Sequence, residues 1–153
     1  MVLEASIIEL AAWMRTPAGQ CLLRWEQMHT DEAVADVFGY HALQLGLPEL
    51  HALRANRMPH RWVALDAGHA PPDSTKRAAV FAHGDALPFD ERSLDLVVLP
   101  HALEFASDPH QLLREVYRAM RPEGQVVISG FNPFSLFGAK RYFGRGQTPP
   151  WNG

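Results

Sequence analysis

Gly84-Asp85-Ala86-Leu87-Pro88-Phe89-Asp90-Glu91-Arg92-Ser93-Leu94-Asp95-Leu96-Val97 is the stretch on which the fold turns. From Ser93 to Leu99 the chain has the near-continuous apolar run of a strand buried on both faces, as a parallel sheet requires, and Pro100 ends it. Just upstream, Ala79-Val80-Phe81-Ala82 reads as a short strand leading into Gly84-Asp85. Two strands are thus joined by a loop that opens on an acid.

Downstream, a helix starts with Asp108 as N-cap, Pro109 in the first turn and Gln111 completing a capping box. Its expected buried face is Leu112, Leu113, Val116, Tyr117 and Met120. Arg121-Pro122-Glu123-Gly124 then turns the chain into a fifth strand, Gln125–Ser129. Upstream, His41–Gly46 reads as the first strand and Trp62–Asp66 as the second, with a helix expected over Leu47–Asn56 because Pro48 stands early enough to begin one. The two prolines between Gly68 and Ser74 make that loop irregular. Alternating strands and helices define an α/β, Rossmann-like, doubly wound and mostly parallel sheet.

Ahead of this core, Ile7, Leu10, Ala11 and Met14 recur at helical spacing, and Thr16-Pro17 opens a second helix. Its apolar stripe is expected to be Cys21, Leu22, Trp25 and Met28, opposed by Glu26, Gln27 and Asp31, until Gly39. The expected organisation is one domain over 1–153: helices in 1–38, a core in 41–131, and an aromatic and basic tail in 132–153.

With 47% hydrophobic residues, the 153-residue chain suffices for one such core. A net charge of -3 gives no basic surface for nucleic acid or an anionic membrane, so a small-molecule partner is expected. The lone Cys21 excludes an internal disulfide, and the opening Met1-Val2-Leu3-Glu4 lacks the basic start of a signal peptide. No apolar run reaches the roughly 20 residues of a membrane helix. A cytoplasmic location is the expectation. No metal site is expected, since the eight histidines include no His-x-x-x-His or His-Glu-x-x-His spacing.

In open α/β sheets ligands lie beyond the carboxyl ends of the strands, which singles out Gly46, Asp66, Asp85 and Pro100-His101. Asp66 stands 20 residues beyond Gly46, the spacing of an acid that accepts from both ribose hydroxyls of a nucleotide cofactor, although a solvated acid before Gly68 fits the same position. His101 is placed to act as a base, and equally to cap the following helix or fill space.

The stretch from Gly84 to Val97, with Ala102-Leu103, the helix Leu112–Met120 and Arg121-Pro122-Glu123-Gly124-Gln125, resembles the signature of class I S-adenosylmethionine (SAM) dependent methyltransferases of type 11. The resemblance covers residues 41 to 131 and is strongest from 84 onward. It implies the sheet order 3-2-1-4-5, SAM as cofactor, Asp85 as acceptor for the adenine amine and the Ala86 N–H as donor to a ring nitrogen; as a plain turn cap, Asp85 would leave that amine to other groups. Gly46 and Pro100 join the cofactor-binding set at the strand ends.

The departure lies after the first strand, where the family's acid-x-Gly-x-Gly-x-Gly aligns with Gln44-Leu45-Gly46-Leu47-Pro48-Glu49-Leu50. Only the first glycine remains: Pro48 removes a donor, Glu49 adds negative charge and Leu50 adds bulk. Together with Ser129-Gly130-Phe131-Asn132-Pro133, this resembles a bacterial branch of methyltransferase-like proteins.

The resemblance implies a SAM-dependent methyltransferase acting on a small molecule; the altered loop keeps open a binding or assembly module that has lost the cofactor. A dinucleotide dehydrogenase ranks last, for want of the glycines a pyrophosphate needs. The family's sheet ends in an antiparallel hairpin of strands six and seven, for which this sequence has no room, so strand five is expected at an edge. Either the chain is a fragment, or a homo-oligomer covers that edge with a tail holding Phe131, Phe134, Phe137, Tyr142 and Phe143.

Overall fold

Among the described residues five strands, all parallel, form one sheet in the order β3-β2-β1-β4-β5. They are β1 (His41–Leu45), β2 (His60–Leu65), β3 (Val80–Phe81), β4 (Leu94–Pro100) and β5 (Met120–Ser129). Among the described residues the helices α1 (Pro17–Val34), α2 (Ala102–Phe105) and α3 (Pro109–Ala119) accompany them, and residues 10 and 12–14 are helical too. The structure is a computed structural model and describes residue 10 and residues 12–65, 80–81 and 86–131. Asp66, Asp85, the loop 68–74, most of the expected first helix and the tail 132–153 lie outside the described residues.

The α/β class and strand order read from the sequence are those of the structure. Leu94, Leu96, Val97, Val98 and Leu99 of β4 are all buried, so helices or loops cover both faces. On one face Leu43, Ala64, Val97 and Leu99 pack with Leu112, Val116 and Ala119 of α3. On the other, Ala42, Leu96 and Val98 pack with Val34, Leu50, Leu53 and Met58.

Both predicted caps form: Thr16 Oγ1 accepts from the Gly19 N–H at 3.2 Å, and Asp108 Oδ1 from the Gln111 N–H at 3.1 Å. The buried stripe of α3 is narrower than expected, because Leu113 and Tyr117 flank Leu112 and Val116 on the solvent side. Arg121–Gly124 stand opposite Asp95 alone, a bulge where the sequence suggested a turn.

Two expectations are corrected. The helix over Leu47–Asn56 does not form; isolated turns such as Leu50 N–H to Leu47 O and Asn56 N–H to Leu53 O replace it. The face of α1 is reversed: Gly19, Glu26, Thr30 and Val34 are buried, whereas Trp25, Met28 and Cys21 are exposed. The helix lies with its polar line inward because Glu26 has a buried partner, described below.

At the outer edge among the described strands, β5 exposes Val126 and Ile128. No described helix is long and apolar enough to cross a membrane.

Candidate functional site at the strand ends

The carboxyl ends of the strands form one row. Pairing sets Phe81 beside Leu65, Leu45 beside Ala64, Gln44 beside Val98 and Pro100 beside Ser129. Two residues along the β1–β4 register stand Gly46 and Pro100, on strands about 4.8 Å apart.

Gly46 has φ +82°, and a Cβ built there meets no atom within 4 Å among the described residues. Glycine therefore gives a left-handed turn and leaves room, among the described residues, where a side chain would stand. Leu47 follows with φ 45°, a left-handed conformation that costs an ordinary residue about 1–2 kcal/mol.

Gln44, buried in the strand, holds this turn. Its Nε2 shares two hydrogens among the carbonyls of Gly46 (2.9 Å), Leu47 (2.8 Å) and Leu50 (2.8 Å), and its Oε1 accepts the Ala52 N–H at 3.1 Å. Those carbonyls are drawn inward to one amide, which explains why Leu47–Asn56 is not a helix. The expectation that Leu50 crowds the cofactor is likewise corrected: its side chain is in the core with Val34, Ala42 and Met58.

At the end of β4, His101 adopts a left-handed backbone (φ 57°, ψ 14°) and is 1% exposed. Its Nε2 lies 2.6 Å from Glu26 Oε1 of α1 and its Nδ1 3.3 Å from Glu104 Oε2 of α2. The other oxygen of Glu104 accepts the Phe131 N–H, and the rings of Phe131 and His101 are 4.5 Å apart. Burial alone pulls the His101 pKa down, but the hydrogen bonds and charges of Glu104 and Glu26 outweigh it and raise it to about 9. The ring is thus a cation at neutral pH with both nitrogens engaged, and its side chain makes no cap bond to α2.

Glu26 is 6% exposed, and its Oε2 is buried with no hydrogen-bond partner among the described residues. Such an oxygen is uncommon, because burying an acceptor without a donor costs about 1–3 kcal/mol and more for a charged one.

Beyond β3, Ala86 is exposed and the next residues are anchored to α3. Glu115 Oε1 accepts the Leu87 N–H at 3.0 Å, and Arg118 Nη2 donates to the carbonyls of Leu87 (3.1 Å) and Phe89 (2.9 Å). The Arg118 guanidinium, with the Leu87 N–H assisting, holds the Glu115 carboxyl below its ordinary range against the effect of burial.

The structure therefore brings Gly46, Pro100 and His101 to one row, while Asp66 and Asp85 lie outside the described residues. Sequence reading missed Glu26, Glu104, Gln44 and the Glu115–Arg118 clamp. Gln44 carried a usable signal, a lone amide inside an apolar strand; Glu26 read as a surface charge, since its partner is 75 residues away.

A methyltransferase domain model matches residues 49–128. The chain belongs to that family. It is 30% identical to the uncharacterized protein YafS of Escherichia coli K12 over 137 residues, 89% of this chain and 54% of that protein, and so spans about half of that relative's length. It is 36% identical over 66 residues to a demethylmenaquinone methyltransferase of Lactobacillus johnsonii, covering 39% of this chain and 27% of that one. Among solved structures, a SAM-dependent methyltransferase from Thermotoga maritima superposes with TM-score 0.64 at 16% identity, over 92% of this chain and 66% of that one. A Haloferax volcanii methyltransferase solved with the Trm112 activator gives 0.60 at 24% identity, over 78% and 57%. These similarities establish the Rossmann-like methyltransferase fold, and the family implies SAM as its cofactor. Among the described residues nothing stands within 4 Å of a Cβ built on Gly46, which fits that group, since a strand end without a side chain lets a ligand approach the backbone.

Proposed function

We propose that this protein is a SAM-dependent methyltransferase acting on a small molecule, with the cofactor laid along the row of strand ends. The observation that carries the reading is Gly46, left-handed beneath open space and in register beside Pro100-His101, at the crevice where α/β sheets bind ligands. Gly46 and Pro100 would line the methionine end, Asp66 would accept from the ribose hydroxyls, and Asp85 with the Ala86 N–H would read the adenine. The Glu115–Arg118 clamp fixes the loop that follows Asp85.

When bound, the cofactor supplies a methyl group already activated on a sulfonium. The chain's own work is alignment and exclusion of water. In this reading His101 places charge and holds α1 over the strand ends, since both of its nitrogens face carboxylates and its proton is held to about pH 9.

Titration calorimetry on the full chain with SAM and S-adenosylhomocysteine tests the assignment. Saturable binding is expected, weakened about tenfold or more in Asp85→Ala through loss of a charge-assisted hydrogen bond. No heat at millimolar ligand would contradict it.

A second reading, a methyltransferase-like module without transfer activity, is favoured by Gln44, which takes three loop carbonyls for itself, and by Pro48, which lacks an N–H. The same titration without heat, on a chain verified as folded, supports that reading. Self-association through β5 is supported by exposed Val126 and Ile128, and a non-aggregating monomer in sedimentation would rule against it.

A further inference from the structure

The outer face of α1 is unused by the methyltransferase reading, which needs only the inner one. At about 100° per residue, Glu26, Thr30 and Val34 turn toward the sheet. One flank of the helix is tied down, because Gln27 Oε1 accepts the His51 N–H at 2.9 Å and Asp31 pairs with Arg54. The line opposite the buried one runs through Cys21, Arg24, Trp25, Met28 and Glu32, all of them exposed. Trp25 is 56% and Met28 54% exposed, so two large apolar side chains stand in the middle of a surface helix. The Trp25 ring rests on His29, with centroids 4.0 Å apart, and is fixed without being covered.

The charges beside this stripe indicate its occupant. Arg24 and Glu32 form no ion pair among the described residues, and they stand four residues before and four after Met28. Two such helices laid antiparallel about a twofold axis at Met28 bring each residue level with the one equally far from Met28 on the other side. Arg24 then stands level with the partner's Glu32 and one residue from the partner's Asp31. A parallel pair would instead set Arg24 beside the partner's Arg24. Unlike charges therefore meet in the antiparallel arrangement, and the stripe is complementary to itself. An anionic bilayer would meet Glu32 and Asp36 as well as Arg24, which gives it no such match.

We propose that α1 docks on α1 of a second copy of this chain, antiparallel about Met28, with Trp25 and Met28 as the apolar seam and Arg24 against the partner's Glu32. The seam is short: 18 residues span about 27 Å, and one helix face supplies less than the roughly 800 Å² that each partner of a standard complex buries. The dimer accordingly dissociates on dilution. Glu26, on the inner side of the same helix, holds His101 at the strand ends, so pairing braces the element above them. This surface is separate from the β5 edge. Val126 and Ile128 lie on the α3 side of the sheet, as their register partners Val97 and Leu99 do, whereas α1 packs through Val34 on the side of Leu96 and Val98.

Sedimentation velocity on the full chain, from micromolar to millimolar concentration, tests the proposal, and a monomer–dimer equilibrium is expected. Met28→Glu sets a charge against its own copy on the axis and should weaken dimerisation about tenfold or more, whereas Val126→Lys should leave it unchanged. Arg24→Glu should weaken it as well, and Arg24→Glu combined with Glu32→Arg should restore it. These positions are exposed, so the variants keep the core intact. A cross-link locates the axis. In a Cys21→Ser background, Met28→Cys should oxidise to a covalent dimer, since facing Cα atoms of packed helices come within about 5–6 Å. Glu32→Cys should not, because its two copies stand about 12 Å apart along the seam. A monomer at millimolar concentration overturns the proposal, as does a dimer unmoved by Met28→Glu. A dimer abolished by Val126→Lys belongs to the β5 edge and overturns it too, and a charge swap that restores nothing, or cross-linking at 32 in place of 28, rejects the antiparallel register. None of these outcomes bears on the methyltransferase reading, which the cofactor titration decides by itself.

Discussion

At the amino end of the sheet, Asp95 reaches from β4 to accept the N–H groups of Tyr40 (2.8 Å) and His41 (3.1 Å), with Arg121 3.6 Å from its other oxygen. At the carboxyl end, the polar group of comparable reach is Glu26, which binds His101 through one oxygen and leaves the other without a donor. Asp95 is a staple: a Cβ on Gly39 would sit 2.4 Å from its Cγ, so the chain passes close over it before β1 begins. The orphan described at that end, His41 Nδ1, is one ring nitrogen beside the stacked rings of His60 and Trp62. The carboxyl end gathers left-handed residues at Gly46, Leu47 and His101, against Arg92 and Gly39 at the amino end, together with a buried carboxyl oxygen without a donor among the described residues. Each end thus holds one buried polar atom without a partner, and the carboxyl end holds more of the left-handed backbone, as the proposed ligand site there would require.

The largest effect that sharpens this contrast is expected from His101→Ala. It strands Glu26 without its partner and should cost about 3–5 kcal/mol in urea unfolding, against about 1–2 kcal/mol for Asp95→Ala, whose donors lie near solvent. If the two substitutions cost the same, the distinction between the ends fails.

Next in size is the dependence on pH. The folded pKa of His101, about 9, lies above the ordinary value of 6.5, so its contribution is complete below about pH 6.5 and is lost as the pH rises through 9. The span corresponds to about 3 kcal/mol. Urea midpoints at pH 6 and pH 10 should therefore diverge in the native chain, and less so in His101→Asn, which tolerates the left-handed backbone without a titrating ring. Parallel midpoints in both proteins would remove the ionic role given to His101.

Gln44→Ala should cost about 2–3 kcal/mol by leaving the Ala52 N–H and the loop carbonyls unpaired in a buried turn. Amide exchange over residues 46–52 should rise with it, and an unchanged exchange pattern would mean that the turn holds itself.

The smallest effect is expected at Arg118→Ala: about 1 kcal/mol, with faster exchange at Leu87 and little change elsewhere. Glu115 contributes in the opposite pH direction to His101. Its folded pKa is depressed, so its stabilisation is present above the ordinary carboxylate value and is lost as the pH falls through the folded one.

Much of the frame was legible in the residues. The uninterrupted apolar run of β4, the Asp108-Pro109 cap and the Thr16-Pro17 start each rest on local chemistry and recur in the structure where they were read. Failures occurred where a distant partner overrides local pattern. Trp25 and Met28 look like the inner face of α1 until His101 claims Glu26, and Leu47–Asn56 looks helical until Gln44 takes its carbonyls. Gly46, Pro100 and His101 stand at the strand ends where their positions after strands put them; Glu26 was not read as a partner of His101, because pairing across 75 residues leaves no periodic trace.

The central claim is that the carboxyl end of the sheet, from Gly46 to His101, is the cofactor site. A crystal structure of the full chain soaked with S-adenosylhomocysteine tests it most directly. The account predicts ligand density over Gly46 and Pro100, with the carboxylates of Asp66 and Asp85 on its ribose and adenine. An empty space above Gly46 at millimolar ligand, or density bound at the Asp95 end, would contradict it.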